Sequence, residues 1–587
     1  MRLKHIIITL AGCVTILTAC EKSKFLDKTP SGELTSDQVW SSWTNTVYYY
    51  NDTYNFLRNG QARIANSWMD EATDLAEASR SACGTRSSFN VGDFYATGGE
   101  AEILDTWATY YRGIRKVNLF MEHIDSVPLG TEVSEATGEA ARSRMKAEMR
   151  FFRAYFFWEL CLRYGAIPII DSSIDPDATL STILAKYQRP ASVKTCFEWV
   201  MSELNDCYTG LTSDNDVSTS DLGLVTKGTD LALMARIKLY LASPYYQDLG
   251  LYSWQDAADA AKLFIDNFGN GARYSLFQYT SNYVTAYQDA VNMRVVSGNK
   301  EVVFWRNDAA GNWWQNESPV GYGGYGGLCP SQTLVDMYDM ANGESPFATY
   351  DATGAPVYDA SGIPTVNAAS GYSEQHPYAN RDPRFYATVL YHGAEWWSRA
   401  VDVSTGGTDN PAGNAYATPT GYYNRKYHDD SQTDYLDDSK TMYRNWIFIR
   451  YAEVLLNYAE AINEAQGPTA EAFNALQQLR NRVGMTSLLS ARTDLQSQSA
   501  LRNFIHKERT IELAFEDHRW WDVRRWKVAS EAIGRPLYGI TVTKATDGTL
   551  TYTRKVAQSR VFQDRFYLYP IPTEEIWKTG WSNNAGW

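Results

Sequence analysis

The chain has 587 residues, 44% of them hydrophobic and 14% aromatic, with a net charge of -14 and a sequence pI near 5.1. That length and apolar content are enough to bury a large core, as one elaborate domain or two, and they exclude a disordered or low-complexity protein. No basic run interrupts the acidic balance, which argues against nucleic acid or anionic lipid as the partner and suits a neutral ligand better.

At the start, Arg2 and Lys4 precede an apolar run from Ile6 to Thr18. This reads as a secretory signal and is too short to cross a membrane as a helix. The run ends in Leu17-Thr18-Ala19-Cys20, a lipobox in which the Cys20 thiol would take a diacylglycerol and begin the mature protein. Leu10-Ala11-Gly12-Cys13 fits the same pattern. Cleavage there would leave an apolar region of about five residues, against the usual 7 to 15 or so. Acyl chains at about 0.8 kcal/mol per buried methylene would hold a large body at a membrane. An ordinary cleaved signal with a chance cysteine is the alternative. Cysteines at 13, 20, 83, 161, 196, 207 and 329 show no metal-type spacing. Five remain once Cys13 and Cys20 are set aside, so at least one thiol is free and a disulfide scaffold is not expected.

Helical periodicity runs over about 105 to 126, 137 to 164, 190 to 210, 226 to 243 and 253 to 268. Pro190 suits a first helical turn, and Ser253 with Asp256 three residues on reads as a cap. The most apolar stretch, Phe151 to Leu162, is broken by Arg153 and Glu159 and reads as a buried core helix. From about Asn270 to Asn445, glycine, proline, asparagine and aromatic residues replace the periodicity, which marks a loop-rich insertion. It holds the run Gly321 to Gly327 with Tyr322 and Tyr325, the pairs Trp313-Trp314 and Trp396-Trp397, and an echo of Tyr350–Gly354 in Tyr358–Gly362 that reads as two successive turns. Periodicity returns after Ile449, with Gly467-Pro468 turning the chain between two helices. The expected fold is mainly α, a superhelix of tetratricopeptide-like hairpins with a loop-rich, partly β insertion. The expected segments are a signal at 1–19, a helical region at 20–270, the insertion at 271–445 and a terminal region at 446–587.

Particular motifs carry a resemblance over nearly the whole mature chain. They are Phe25-Leu26-Asp27-Lys28-Thr29-Pro30 after the anchor, Lys146 to Ala154 with Arg163-Tyr164-Gly165-Ala166-Ile167-Pro168, Arg450 to Glu460, Leu479 to Met485, Glu508 to Trp526, and Leu568-Tyr569-Pro570-Ile571-Pro572. In these the sequence resembles the SusD/RagB family of outer-membrane nutrient-binding lipoproteins. The resemblance implies a helical base, a ligand site on irregular loops, and a partner TonB-dependent, SusC-like transporter that the lipoprotein caps like a hinged lid. It implies no particular ligand residues, because those are poorly shared within the family.

Ligand residues must therefore be read from chemistry. A sugar ring presents an apolar face and a hydroxyl rim, so its receptor needs aromatic plates and planar polar groups. Trp313 and Trp314, adjacent in a loop, are the leading plates. Tyr283 and Tyr287 are either a further plate or a helical packing pair. Tyr322 and Tyr325 lie in a glycine chain able to close over a ligand. Rim contacts are expected from the segment Trp68 to Tyr95, with Asp70, Arg80, Arg86, Asn90 and Tyr95, although a local salt-bridge cluster explains its charges as well. A strand pattern near Val389 to Trp397 would bury one of Trp396 and Trp397. Glu508, Glu512 and Glu516 line one helical face and read as a core network with neighbouring arginines, not as catalysts. Asp429, Asp430, Asp434, Asp437 and Asp438 lack the spacing of a calcium loop and read as a solvated loop. No metal-protease, phosphate-loop or nucleophile-elbow motif is present, and no cofactor is expected. The expected function is non-catalytic binding of glycans, with peptide capture on the same fold or glycoside hydrolysis as the alternatives.

Overall fold

Apolar residues recurring every three to four positions build helices where they were predicted, in a computed structural model that describes residues 35–587 apart from 65–66, 96–100, 132, 279–280, 311–312, 429 and 431–441. The signal, the Cys20 anchor and, of the acidic stretch, Asp429, Asp434, Asp437 and Asp438 lie outside the described residues. The predicted helices appear as α1 (Ala101–His123), α2 (Glu135–Tyr164), α3 (Val193–Tyr208), α4 (Lys227–Ala242) and α5 (Trp254–Phe268). After α6 (Tyr283–Asn292) and the insertion come α7 (Tyr451–Gln466), α8 (Ala470–Arg482) and α9 (Gln498–Glu512). Chain neighbours pack on one another, α1 on α2, α2 on α3, α4 on α5 and α7 on α8, while α7 also packs on α9 and, across the insertion, on α5.

Capping sets several of these ends. Ser253 and Asp256 form a reciprocal capping box at α5, as expected. At α3 the expectation fails, because the helix begins at Val193 and Pro190 lies outside it. The Ser192 side chain accepts from the Lys194 amide and supplies the cap that proline cannot. A further helix, Leu180–Lys186, was not predicted, since it buries no residue and so carries no apolar stripe. Gly467 turns the chain between α7 and α8 with φ +89°.

Every residue from Phe151 to Tyr164 in α2 is buried. The polar residues that interrupt it are satisfied: Arg153 pairs with Glu203 at 2.6 Å, and Arg163 pairs with Glu159 at 2.9 Å and Glu102 at 2.6 Å. The described cysteines Cys83, Cys161, Cys196, Cys207 and Cys329 are all buried free thiols, which makes them small core residues.

The insertion is closed at its base by a long antiparallel pair, β2 (Val302–Ala310) and β4 (Met442–Arg450), with Val302 opposite Arg450 and Ala310 opposite Met442. Between them in sequence comes β3 (Leu328–Pro330), which forms a separate pair with β1 (Ala76–Ala78) from the amino-terminal region. The internal echo forms two like turns, with Gly354 donating to Asp351 and Gly362 to Asp359, and with φ of +82° and +75° at the two glycines. Near the end, β5 (Leu537–Lys544) and β6 (Leu550–Gln558) make a hairpin that sequence reading missed. One continuous apolar core links residues from Trp43 to Ile571.

Glu508, Glu512 and Glu516 form the expected core network. Arg450 reaches Glu301 at 2.6 Å and Glu512 and Glu516 at 2.7 Å, Arg384 reaches Glu508 at 2.6 Å, and Lys426 reaches Glu516 at 2.6 Å. Burial alone would raise the Glu512 carboxyl, but Arg482, Arg450 and Arg384 outweigh it and hold the group well below the usual carboxylate range. These charges tie β4, α8, α9 and the insertion to one another.

Candidate functional site

The short ladder between β1 and β3 brings together two stretches of chain about 250 residues apart. Just past it, the Ser79 amide donates to Gly327 O at 2.9 Å and its hydroxyl to Tyr325 O at 2.7 Å. Arg86 donates to Ser79 O at 2.9 Å, and the Tyr325 amide donates to Gln315 O at 2.7 Å. The segment 68–95 and the Trp313 and Gly321–Gly327 loops therefore meet along one seam.

The glycines in that seam serve close packing. A Cβ on Gly324 would sit 2.0 Å from Ser318 O, and one on Gly326, where φ is +78°, would sit 2.3 Å from Tyr416 O. The expectation of an open glycine chain folding over a ligand is replaced by a loop already pressed against its neighbours.

Aromatic rings fill the seam in graded depth. The helical turn Trp313–Glu317 sets the two adjacent indoles at 87° to each other, so they cannot form one flat shelf. Both are buried, at 7% and 2% exposure. This corrects the expectation of an exposed pair, because Trp313 packs on Trp68 at 6.3 Å and Trp314 on Trp397 at 6.1 Å. Trp68 is itself buried, between Trp313, Tyr427 and Trp446. Of the second tryptophan pair, Trp396 is buried and Trp397 half-buried, stacked at 3.7 Å and 19°. Trp397 has φ +50°, a left-handed conformation that costs an aromatic residue on the order of 1–3 kcal/mol. The buried Tyr322 helps to hold it there, donating its hydroxyl to the carbonyls of Trp396 and Arg399, while the Arg399 guanidinium lies 4.0 Å over the Tyr322 ring and is fixed by Asp409 at 2.6 Å. At the surface, Tyr325 is 38% and Tyr416 37% exposed, with ring centroids 5.0 Å apart at 47°.

The predicted rim residues divide. Arg80 is exposed beside Ser79, and Arg86 is half-buried with its guanidinium on backbone carbonyls. Asn90 is buried and donates to Glu71 O and Glu77, so it braces the segment and does not face solvent. Asp74 is buried in an ion pair with Arg519 at 2.7 Å. Tyr95 is exposed at the far end of the segment, next to a Phe94 that stacks on Phe89. Tyr287 is fully buried, donating to Glu512 O and accepting from Lys426, which makes it a core residue and not a plate. Tyr283 is exposed but packs against Gly484, away from the seam, where a Cβ would come within 2.3 Å of its ring. Asp430, expected in a solvated loop, accepts from Arg425, Gln288 and Trp396 at 2.7 to 3.0 Å.

Asp70 is buried beneath the seam, and burial, reinforced by the charge of Asp517, pushes its carboxyl up to about 8. Its Oδ2 accepts from the Asp517 amide at 3.2 Å, while its Oδ1 has no hydrogen-bond partner among the described residues. The folded carboxyl keeps its proton up to about pH 8, whereas an unfolded one loses it near pH 4. Folding therefore takes up a proton in that window, and the contribution of Asp70 to stability falls as pH rises through it. Asp70→Asn is expected to raise the melting temperature at pH 8 and to have little effect near pH 4. Equal shifts at both would contradict a neutral buried carboxyl.

Sequence reading missed Tyr416, Arg399 and Ser79. Tyr416 was findable, as a lone aromatic just past the turn-rich run Asn410 to Asn414. Arg399 follows closely on a tryptophan pair. Ser79 carries no local signal, because its role comes from a partner far along the chain.

The model of the SusD family matches residues 290–587, and one described as starch-binding and associating with the outer membrane matches residues 24–241. SusD-like protein P2 of Formosa agariphila is 27% identical over 397 residues, which span 66%, just under two thirds, of each chain. The crystal structure of a SusD-like protein from Bacteroides fragilis shares 26% identity at a TM-score of 0.74, covering 94% of this chain and 99% of that one. A SusD-like carbohydrate binding protein from the same organism shares the fold, at 21% identity and a TM-score of 0.69, over 92% of this chain and 98% of its own.

Proposed function

The chain belongs to the SusD family, and on that premise we propose that it is a non-catalytic receptor that holds oligosaccharide or polysaccharide outside the cell and passes it to a TonB-dependent, SusC-like transporter in the outer membrane. Its tether would be the lipid on Cys20, and no helix among the described residues is long and apolar enough to cross a membrane.

The observation that carries the binding reading is the exposed Tyr325–Tyr416 pair, seated on a close-packed seam with the half-buried Trp397 behind the same loop. Tilted phenol rings cover the apolar face of a sugar, and the exposed Arg80 offers planar donors for hydroxyls. The Ser79 hydroxyl and the Gln315 carbonyl, bonded to the backbone of Tyr325, hold that outer ring in place. A few such contacts support affinities of roughly millimolar to micromolar, about -4 to -8 kcal/mol, which suits a protein that must release its cargo. The name of the carbohydrate binding relative from Bacteroides fragilis is in keeping with this cargo.

Binding without cleavage fits the carboxylates near the seam. Hydrolysis needs two of them facing a bond at roughly 5 to 9.5 Å. Here Asp70, Glu71 and Glu77 are buried, and Asp74 is held by Arg519. Purified protein run in gels containing a panel of glycans should be retarded by at least one, with no reducing ends released on incubation. Steady release that survives further purification would retire the binding-only reading.

A further inference from the structure

We infer that the helical base carries a second ligand pocket, separate from the aromatic seam, that accepts a small aromatic carboxylate. A cavity of about 450 Å³ opens between α1, the stretch 168–174 and the end of the chain near α10 (Thr573–Thr579). That volume is in the usual range for small-molecule sites. None of its lining residues belongs to the seam formed by segment 68–95 and the insertion loops.

The walls are flat and apolar. Trp107 and Tyr111, four apart on α1, stand with rings 4.9 Å apart at 53°, and Ile114 continues the same face. Trp581, near the end of the chain, also lines the cavity. At the mouth, Arg112 and Arg115 lie three apart on the same helix, both exposed. Arg112 donates to Thr109 at 3.2 Å, and among the described residues neither arginine has a carboxylate within ion-pair distance. Many of the described arginines are paired with carboxylates, so two without one beside an apolar slot select for an anion. The chain's net charge argues against anionic partners in general, but a local pair of cations decides a local site.

The remaining polar groups favour an aromatic ring over a sugar acid. Asn118 donates to the carbonyls of Ile170 and Ser172 and accepts from Arg153. Ser173 donates to Glu122 at 2.6 Å, and the Tyr111 hydroxyl donates to Pro168 O at 3.3 Å. Glu575, the one carboxylate among the described lining residues, is paired with Lys578 at 3.3 Å. The hydroxyls of a bound sugar would find few free partners, whereas an apolar ring needs none and its carboxylate meets the guanidinium groups.

Titration calorimetry on the intact protein, with 2-naphthoate, 2-naphthamide and galacturonate as probes, tests this. Naphthoate should bind, with affinity falling as salt rises, and the amide and galacturonate should each bind at least about tenfold more weakly. Arg112→Ala with Arg115→Ala, both at exposed positions, should weaken naphthoate about tenfold and leave the amide unchanged. Tyr325→Ala should not affect naphthoate, which separates this pocket from the proposed glycan site. Absence of naphthoate binding, galacturonate binding as tight as naphthoate, or an arginine variant that binds naphthoate undiminished would each overturn the assignment.

Discussion

Glu512→Gln should lower the free energy of unfolding by about 3–5 kcal/mol, the loss expected when a buried charge is stripped of its partner. The Glu512 carboxylate is shared by Arg450 at 2.7 Å, Arg384 at 3.0 Å and Arg482, all fully buried. Glutamine keeps the shape and one acceptor but leaves three guanidinium groups with one negative charge fewer. Urea unfolding of the variant against the parent measures the difference, and a change within about 0.5 kcal/mol, as at an ordinary surface site, would show that the network does not hold the core. The pH dependence has a definite sign. Because the folded carboxyl sits below its usual range, its stabilisation is present in full above about pH 4.3 and is lost as pH falls through the depressed folded value. The variant should therefore lose less stability than the parent on acidification below pH 4 or so.

Tyr325→Ala combined with Tyr416→Ala should weaken glycan retardation about 5- to 150-fold, corresponding to two plates at roughly 0.5 to 1.5 kcal/mol each. Both rings are exposed, so the helical circular dichroism signal should not change. Trp313→Ala and Trp314→Ala probe something else. Their indoles are buried, and removing either should cost about 3–5 kcal/mol of stability and disturb the seam indirectly. Full retardation by the tyrosine variant, beside a loss in the tryptophan variants at temperatures where they remain folded, would move the binding surface from the outer rings to the inner ones.

Much of the helical frame was legible from the chain alone. The apolar spacing in Phe151 to Leu162 announced a helix, and Arg153 and Glu159 within it announced that the helix was buried and not membrane-spanning. Its polar residues meet Glu203 and Arg163, partners on neighbouring turns and helices. The cap at Ser253, the turn at Gly467 and the paired turns at Gly354 and Gly362 were equally readable, since each depends on residues within four or five positions. The arginine and glutamate pattern around Glu508 to Trp526 was read as a core network, and one is found there.

The candidate site was legible only as a neighbourhood. The chain named the segments 68–95 and 313–325, and the ladder between β1 and β3 joins them. It did not say which rings face out. Trp313 and Trp314 looked exposed because glycine and asparagine surround them in sequence, yet Trp68, Trp397 and His428 surround them in space. Asp70 and Asn90 looked like rim groups because polar residues are usually at the surface, yet one is a buried carboxyl pushed toward neutrality and the other braces Glu71 and Glu77.

What the sequence determined by itself was therefore most of what short-range periodicity governs: the positions of the long amphipathic helices, the Ser253 cap, the turns and the family motifs that accompany them. What only the tertiary structure decided was exposure, and with it the division of the aromatic residues between Tyr325 and Tyr416 outside and Trp313 and Trp314 inside. The reason is physical. Backbone conformation is biased by residues a few positions away, whereas the burial of a side chain depends on which surfaces the whole fold presses against it, and here those surfaces come from chain hundreds of residues distant.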